Sequence, residues 1–481
     1  MTARDTAGRP SGAVVHHGLL IGGAVVAGSG KAIPLVSRRD GSSLGVLDGA
    51  GPSDVAAAYA AAAEAQPAWA ALGPSARADV LNRAAALFRE RASEMGDTIS
   101  HEMGKPLGEA RTEVTKGAAS LEYHAQAGFR ALGSTYVTDT GEDVFTVAEP
   151  LGVVGLITPW NFPFTLPIKK IAAALATGNA AVFKPAPNAV LCALAIGRTM
   201  LDAGLPPGVL NVVLGDTAVI EEALLTDPAL AGVSFTGSFP TAQKIHRRLS
   251  VEVPLQAELG GKNALVIWRD ADPSVAAEIV AQSSFRNNGQ ICTSAGRVLV
   301  HADVADAVLA SLRAGLAARP SSTADGDHGT MSSEAQHRAV AEVVDRHADD
   351  VGEVVRAPWP DELMAPTLLV APPAGELTEE EIFGPVVTVE TIADLDEAVA
   401  AANATSYGLT AGIVTSDLGV AHAFWRRSTA GTVKVNAPLT GTPYHVPIQG
   451  FGRSGAGVGE GGEVGIEFFT RRKAVHIRRP A

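Results

Sequence analysis

Cysteine is almost missing from this chain, with only Cys192 and Cys292 among 481 residues. Two thiols make neither a disulfide framework nor a thiolate metal cluster, so a reducing cytoplasm is the expected compartment and no metal is required. Long hydrophobic runs are missing too. The stretch from Val14 to Val26 is too short and glycine-rich to span a bilayer, and Met1 to Ser11 lacks the basic-then-apolar order of a secretion signal. A soluble protein is expected, with no membrane partner. Positive charge is in deficit, 38 Lys and Arg against 51 Asp and Glu, for a net -13. That balance argues against a nucleic-acid partner and gives no general field that would collect anions; any anion must be held by local basic groups.

What is present is alternation. At 49.2 kDa the chain exceeds the size at which one core keeps growing, so two domains and a smaller element are expected. Ser53 opens a helical stretch through Ala65, and Leu81, Ala84, Leu87, Phe88, Met95 and Ile99 trace an apolar stripe on another helix. Residues 133–147 read as a hairpin around the Asp139-Thr140-Gly141-Glu142 turn. Short apolar strands at 153–157, 180–183, 209–213 and 233–235 then alternate with helices, the rhythm of an α/β parallel sheet. After Glu258 the rhythm restarts with a strand at 264–267 and a helix opened by Pro273; 386–389 and 433–436 are later strand candidates. At the end, 465–470 followed by 474–477 reads as an edge too exposed to stay unpaired.

Three runs carry chemistry. In Phe285-Arg286-Asn287-Asn288-Gly289-Gln290-Ile291-Cys292, glycine and short amides beside a thiol suit the close backbone approach a covalent nucleophile needs. Alone the run says little, since free cysteines are mostly small hydrophobes, and Cys192 in its apolar segment is read that way. Upstream stand Glu258-Leu259-Gly260-Gly261-Lys262 and Thr158-Pro159-Trp160-Asn161-Phe162-Pro163. Together, and in this order, the three runs resemble those of the aldehyde dehydrogenase superfamily, and the resemblance extends over nearly the whole chain.

The resemblance implies an aldehyde dehydrogenase-like α/β fold. A Rossmann-like cofactor domain would take 1–123 and 145–257, an α/β catalytic domain 258–445, and a small β oligomerisation element 124–144 and 463–481. That element would cross to a partner subunit in a homodimer or homotetramer. Cys292 would be the nucleophile, Glu258 the general base, and Asn161, with the Cys292 backbone N–H, the oxyanion donor. The cofactor would be NAD or NADP. None of the strand ends at Thr158, Lys184 or Gly237 carries the usual GxGxxG fingerprint, but each places donors where an open sheet binds ligands. By resemblance Thr158, Pro159 and Trp160 adjoin the dinucleotide, Lys184 its adenosine ribose, Gly237-Ser238 its pyrophosphate, and Glu381, in Glu381-Ile382-Phe383-Gly384-Pro385, its nicotinamide ribose. Pro187 stands where many NAD-preferring relatives have glutamate, which leaves room for NADP. Glu460 occupies a position associated with proton relay.

Substrate choice turns on two basic residues. Lys169 and Arg286 interrupt otherwise family-like segments and resemble the carboxylate-handling positions of succinate-semialdehyde dehydrogenases, so a short anionic semialdehyde is expected, succinate semialdehyde first. The loop through Tyr444-His445-Val446-Pro447 instead resembles dehydrogenases of 2-oxoglutarate semialdehyde. Phe162, Phe285 and Tyr444 would make an aromatic-aldehyde pocket the other alternative. A non-catalytic binding protein on the same fold is the remote one.

Overall fold

Strands that are apolar on both faces belong inside parallel sheets covered by helices, and the two largest sheets of the computed structural model are of that kind. Residues 14–130, 133–320, 329–360 and 363–478 are described; the polar start, 1–11, lies outside them. The first sheet runs, in spatial order, Gly455–Ala456, Leu255–Glu258, Leu230–Thr236, Val153–Ile157, Ala180–Lys184, Leu210–Val212, Leu19–Ile21 and Ala24–Val26. The five strands from Leu255–Glu258 to Leu210–Val212 are parallel. Of the parallel strands the chain makes Val153–Ile157 first, builds outward on one side, then returns to build on the other. The order therefore reverses between Val153–Ile157 and Leu230–Thr236, the switch point at which such sheets bind ligands.

The second sheet runs Glu353–Arg356, Thr367–Val370, Val386–Ile392, Ala295–His301, Asn263–Ile267, Thr410–Val414 and Thr432–Val435. All its pairings are parallel except that of Glu353–Arg356. A third, antiparallel sheet joins Thr470–Ile477 to Asp143–Pro150 and then to Thr135–Tyr136. The hairpin is present, and its long strand continues past residue 144.

Three local expectations are corrected. The apolar stripe from Leu81 to Ile99 lies on two helices, Pro74–Glu90 and Ala92–Met103, because Arg91 between them leaves helical geometry (φ -90°, ψ 8°). The tail at 465–468 is helical, within Gly462–Phe468; Gly461 and Gly462 (φ 81° and 56°) make the left-handed approach that starts it. Glu258 does not open the second unit but ends the last parallel strand of the first.

That last fact positions the site. The carboxyl ends of the first sheet's strands (Ile157, Lys184, Thr236, Glu258) face the amino ends of the second sheet's (Asn263, Ala295, Val386). Contacts spanning the gap prove the apposition: the Trp160 and Phe383 rings are 5.5 Å apart, and the Asn161 amide donates to the Gln290 carbonyl at 2.9 Å.

Candidate active site

Between the Pro273–Ser284 helix and the Ala295–His301 strand the chain turns through Arg286–Gly289, where Asn287, Asn288 and Gly289 all have positive φ (48°, 53° and 67°). Asparagine tolerates this conformation better than other residues with a Cβ, and a Cβ on Gly289 would collide with the Gly384 carbonyl. The amides over-determine the strained turn. Asn288 Nδ2 donates to the Gly329 carbonyl at 2.6 Å, Asn287 Nδ2 to the Asn161 carbonyl at 3.2 Å, and Gln290 Oε1 accepts from Ser332 N at 3.0 Å. The turn delivers Cys292, half-buried, with its carbonyl held by Asn263 Nδ2 at 2.8 Å. Burial pushes the Cys292 thiol up to about 12, Glu381 and Glu258 add to this, and Lys169 opposes it. At neutral pH it rests as a thiol and requires a base.

The base stands at the end of the Leu255–Glu258 strand. Glu258 is buried and, among the described residues, neither of its carboxylate oxygens has a hydrogen-bond partner. Burial holds its pKa well above the usual range; the Glu460 charge raises it further, while Lys170 and Lys169 oppose. Glu460 is in the opposite state. Burial works against its charge, but Lys170 and then Lys169 hold its pKa below the usual range, with Lys170 Nζ 2.6 Å from its Oε2 and Thr236 Oγ1 at 3.4 Å. Two neighbouring carboxylates with pKa values pushed apart are an acid–base arrangement.

On the dinucleotide side, Thr158 is buried and its hydroxyl has no partner among the described residues. Lys184 is buried at its strand end; burial lowers its pKa and Glu221 opposes. Pro187 is exposed at the start of a single turn, Pro187–Ala189. Gly237 N donates to the Glu258 carbonyl at 3.1 Å, tying two strand ends together, and Ser238 opens the Phe239–Arg248 helix. Glu381 reaches the same place from the second sheet, its Oε1 accepting from Gly261 N at 3.0 Å, and burial pushes its pKa up to about 7. A Cβ on Gly260 would collide with that carboxylate. Pro159 lies between Thr158 and Trp160 in the same loop. Phe383 is held at φ 54° against Trp160.

The substrate candidates separate. Lys169, on the Thr165–Ala176 helix, is 7% exposed and has no hydrogen-bond or ion-pair partner among the described residues, although its charge is felt at Cys292, Glu258, Glu460 and His124. Arg286 is 41% exposed at its side chain and sits 3.9 Å from Glu109, so its charge already has an acid. Phe162 lies under the Lys105 ammonium, 4.0 Å from its ring centroid. Phe285 is 2% exposed and packs in the core of the second sheet. Tyr444 stacks on Tyr123 and His445, each at 5.5 Å. Sequence reasoning missed Asn263, Tyr123, His124 and the Lys105–Glu113 pair. Their only signal, polar residues on otherwise apolar or amphipathic elements, is shared with many surface positions.

No cluster of three His, Cys, Asp or Glu able to hold a metal occurs among the described residues, nor any helix long and apolar enough to cross a membrane. The family model described as the aldehyde dehydrogenase family matches residues 25–475. The chain belongs to the aldehyde dehydrogenase family. It is 35% identical over 424 residues to a 2,5-dioxopentanoate dehydrogenase of Saccharolobus solfataricus, covering 85% of this chain and 88% of that one. It is 37% identical over 464 residues to a betaine aldehyde dehydrogenase of Cereibacter sphaeroides, covering 93% and 94%. Among solved structures it superposes with TM-score 0.92 and 31% identity on an NADP-dependent glyceraldehyde-3-phosphate dehydrogenase of Bacillus halodurans complexed with NADP, covering 96% and 99%. This aldehyde dehydrogenase thus shares its α/β architecture with that structure over nearly its full length.

Proposed function

We propose that this aldehyde dehydrogenase oxidises a semialdehyde with a remote carboxylate, 2,5-dioxopentanoate (2-oxoglutarate semialdehyde) ahead of succinate semialdehyde, using NAD or NADP. The observation that carries the reading is Lys169, a buried ammonium with no hydrogen-bond or ion-pair contact among the described residues, whose charge reaches Cys292. A buried cation without a partner is costly, and an anionic ligand relieves that cost. The relatives offer two substrate types, and Lys169 separates them. It attracts the carboxylate of a semialdehyde and repels the quaternary ammonium of betaine aldehyde. The comparisons favour the five-carbon substrate over succinate semialdehyde, the first expectation from the sequence. The core position of Phe285 weakens the aromatic alternative.

The residues fit a nicotinamide dinucleotide. The unpartnered Thr158 hydroxyl, the buried Lys184, and the Gly237-Ser238 helix start converge on the sheet's switch point, where a helix N-terminus favours phosphate. Thr158, Trp160, Lys184, Ser238, Glu381 and Phe383 would hold it, with no carboxylate at exposed Pro187 to repel a 2′-phosphate. When bound, the dinucleotide supplies the hydride acceptor that converts a thiohemiacetal to a thioester.

The chain's own residues do the rest. Glu258, in its charged form, takes the Cys292 thiol proton as sulfur adds to the aldehyde carbon. The Asn161 amide and the Cys292 N–H stabilise the resulting oxyanion. Glu258 releases that proton to solvent and then takes one from water, whose oxygen adds to the thioester carbonyl; the adduct expels the Cys292 thiolate, which recovers the proton from Glu258, and the acid is released. Lys170 holds Glu460 charged beside the base and keeps the two carboxylates distinct. The exposed strand Thr470–Ile477 would pair with a second copy in a homodimer or homotetramer.

The test is a kcat/KM panel with 2,5-dioxopentanoate, succinate semialdehyde, betaine aldehyde and benzaldehyde, each with NAD and NADP. The proposal expects 2,5-dioxopentanoate to lead. A lead for betaine aldehyde or benzaldehyde overturns it.

A further inference from the structure

We infer that the buried ion pair Lys105–Glu113 is a positioning clamp that aims the Asn161 amide and thereby sets the rate of thiohemiacetal formation. This rests on the reading above, that Asn161 serves the oxyanion. The two side chains are 1% and 2% exposed and pair directly with each other. Lys105 Nζ also donates to the Asn161 carbonyl at 2.7 Å. Glu113 Oε1 accepts from Phe164 N at 2.9 Å and Thr165 N at 3.0 Å, and the Glu113 carbonyl accepts from Thr165 Oγ1 at 3.2 Å. One ion pair therefore holds the Asn161 carbonyl and the N–H groups of Phe164 and Thr165, at the start of the helix that carries Lys169 and Lys170.

The same Asn161 carbonyl accepts from Asn287 Nδ2, on the turn that delivers Cys292. It is the junction at which the scaffold helix Leu107–Ala125, the oxyanion loop and the nucleophile turn meet. Holding the loop on its scaffold does not need charge. Phe164 packs edge-on against Phe88 at 4.9 Å, and an apolar pair is generally at least as stabilising as a buried ion pair. What the ion pair adds is direction, since an ammonium and a carboxylate fix three backbone groups at once. The side-chain amide of Asn161, tethered to the Gln290 carbonyl at 2.9 Å, takes its aim from that backbone.

The test measures the pre-steady-state rate of reduced-dinucleotide formation, which precedes hydrolysis, with Kd for NADP and KM for succinate semialdehyde measured alongside. Asn161→Ala should slow this step about 10²–10³-fold. Lys105→Met and Glu113→Gln should each slow it about 10–100-fold, the cost of a misplacement near 1 Å, with Kd and KM little changed. Placed on Asn161→Ala, Lys105→Met should cost less than about 3-fold more, because the amide it aims is gone. If Lys105→Met does not fold, Glu113→Gln keeps the size of the side chain and serves the same comparison. Equal fold-losses in the wild-type and Asn161→Ala backgrounds overturn the clamp, as does a wild-type rate in either single variant. A wild-type rate in Asn161→Ala overturns the oxyanion reading and the clamp with it, which distinguishes that failure from a failure of the clamp alone.

Discussion

Replacing Lys169 by leucine should collapse the preference for a charged aldehyde over a neutral one of the same length. The ammonium is 7% exposed and, among the described residues, has no acid in ion-pair contact, although its charge bears on Glu460 and Glu258, so a substrate carboxylate would meet a desolvated charge. A charge-assisted hydrogen bond in such surroundings contributes about 1.5–3 kcal/mol, or roughly 10- to 150-fold in the ratio of kcat/KM values. The substitution has a second effect. Lys169 also lowers the pKa of both Cys292 and Glu258, so its loss slows every substrate at neutral pH. Matched substrates cancel that term, and the ratio isolates recognition. Arg286→Leu provides the internal contrast. Its charge is 41% exposed and faces Glu109 at 3.9 Å, and exposed pairs contribute about 0–1 kcal/mol, so the ratio should fall by no more than about 5-fold. Steady-state kinetics on succinate semialdehyde and butanal decide it. Equal losses for both aldehydes in Lys169→Leu, or a larger selectivity loss in Arg286→Leu, would refute the reasoning.

Three other outcomes follow from the geometry. Glu258 acts as a base only when deprotonated, so activity should rise with pH through its raised pKa. Glu460→Gln removes a charge that raises that pKa, so the acid limb of the kcat–pH profile should move to lower pH; a limb that stays or moves up contradicts the coupling. Pro187→Glu should reduce the NADP-to-NAD ratio of kcat/KM about tenfold, the effect of ~1.4 kcal/mol of repulsion at an exposed site, and an unchanged ratio would remove Pro187 from the cofactor pocket. Phe285→Ala should destabilise the fold by about 3–5 kcal/mol in denaturant titration, as an aromatic lost from a core does; a change in substrate KM at unchanged stability would return Phe285 to the pocket.

The parallel strands at 153–157, 180–183 and 264–267 were legible because each is apolar throughout; in the fold the last two gain Lys184 and Asn263 at their ends. The central strand Ala295–His301 was passed over although it follows Cys292 almost directly, since its Gly296 and Arg297 interrupt the apolar run. Arg297 is satisfied in the fold by Glu390 on the neighbouring strand, a long-range pairing with no local trace. The tail at 465–468 looked like a strand because Ile466 and Phe468 alternate; the two left-handed glycines before it decide for a helix. At the site, Cys292, Glu258 and Asn161 stood out by their motifs. What the motifs did not carry was burial, which isolates Lys169, hides Phe285 and makes Lys105–Glu113 a matched pair eight residues apart on one scaffold.

The proposed thioester at Cys292, hydrolysed with Glu258 as base, can be trapped directly. Glu258→Gln protein, incubated with succinate semialdehyde and NADP until the slower, unassisted acylation is complete, then quenched in acid and digested, should show the acyl group on the peptide containing Cys292, with one reduced dinucleotide formed per site. Cys292→Ala protein should carry none while still binding the dinucleotide. An unmodified Cys292 peptide from Glu258→Gln protein that turns over at the wild-type rate would contradict the account.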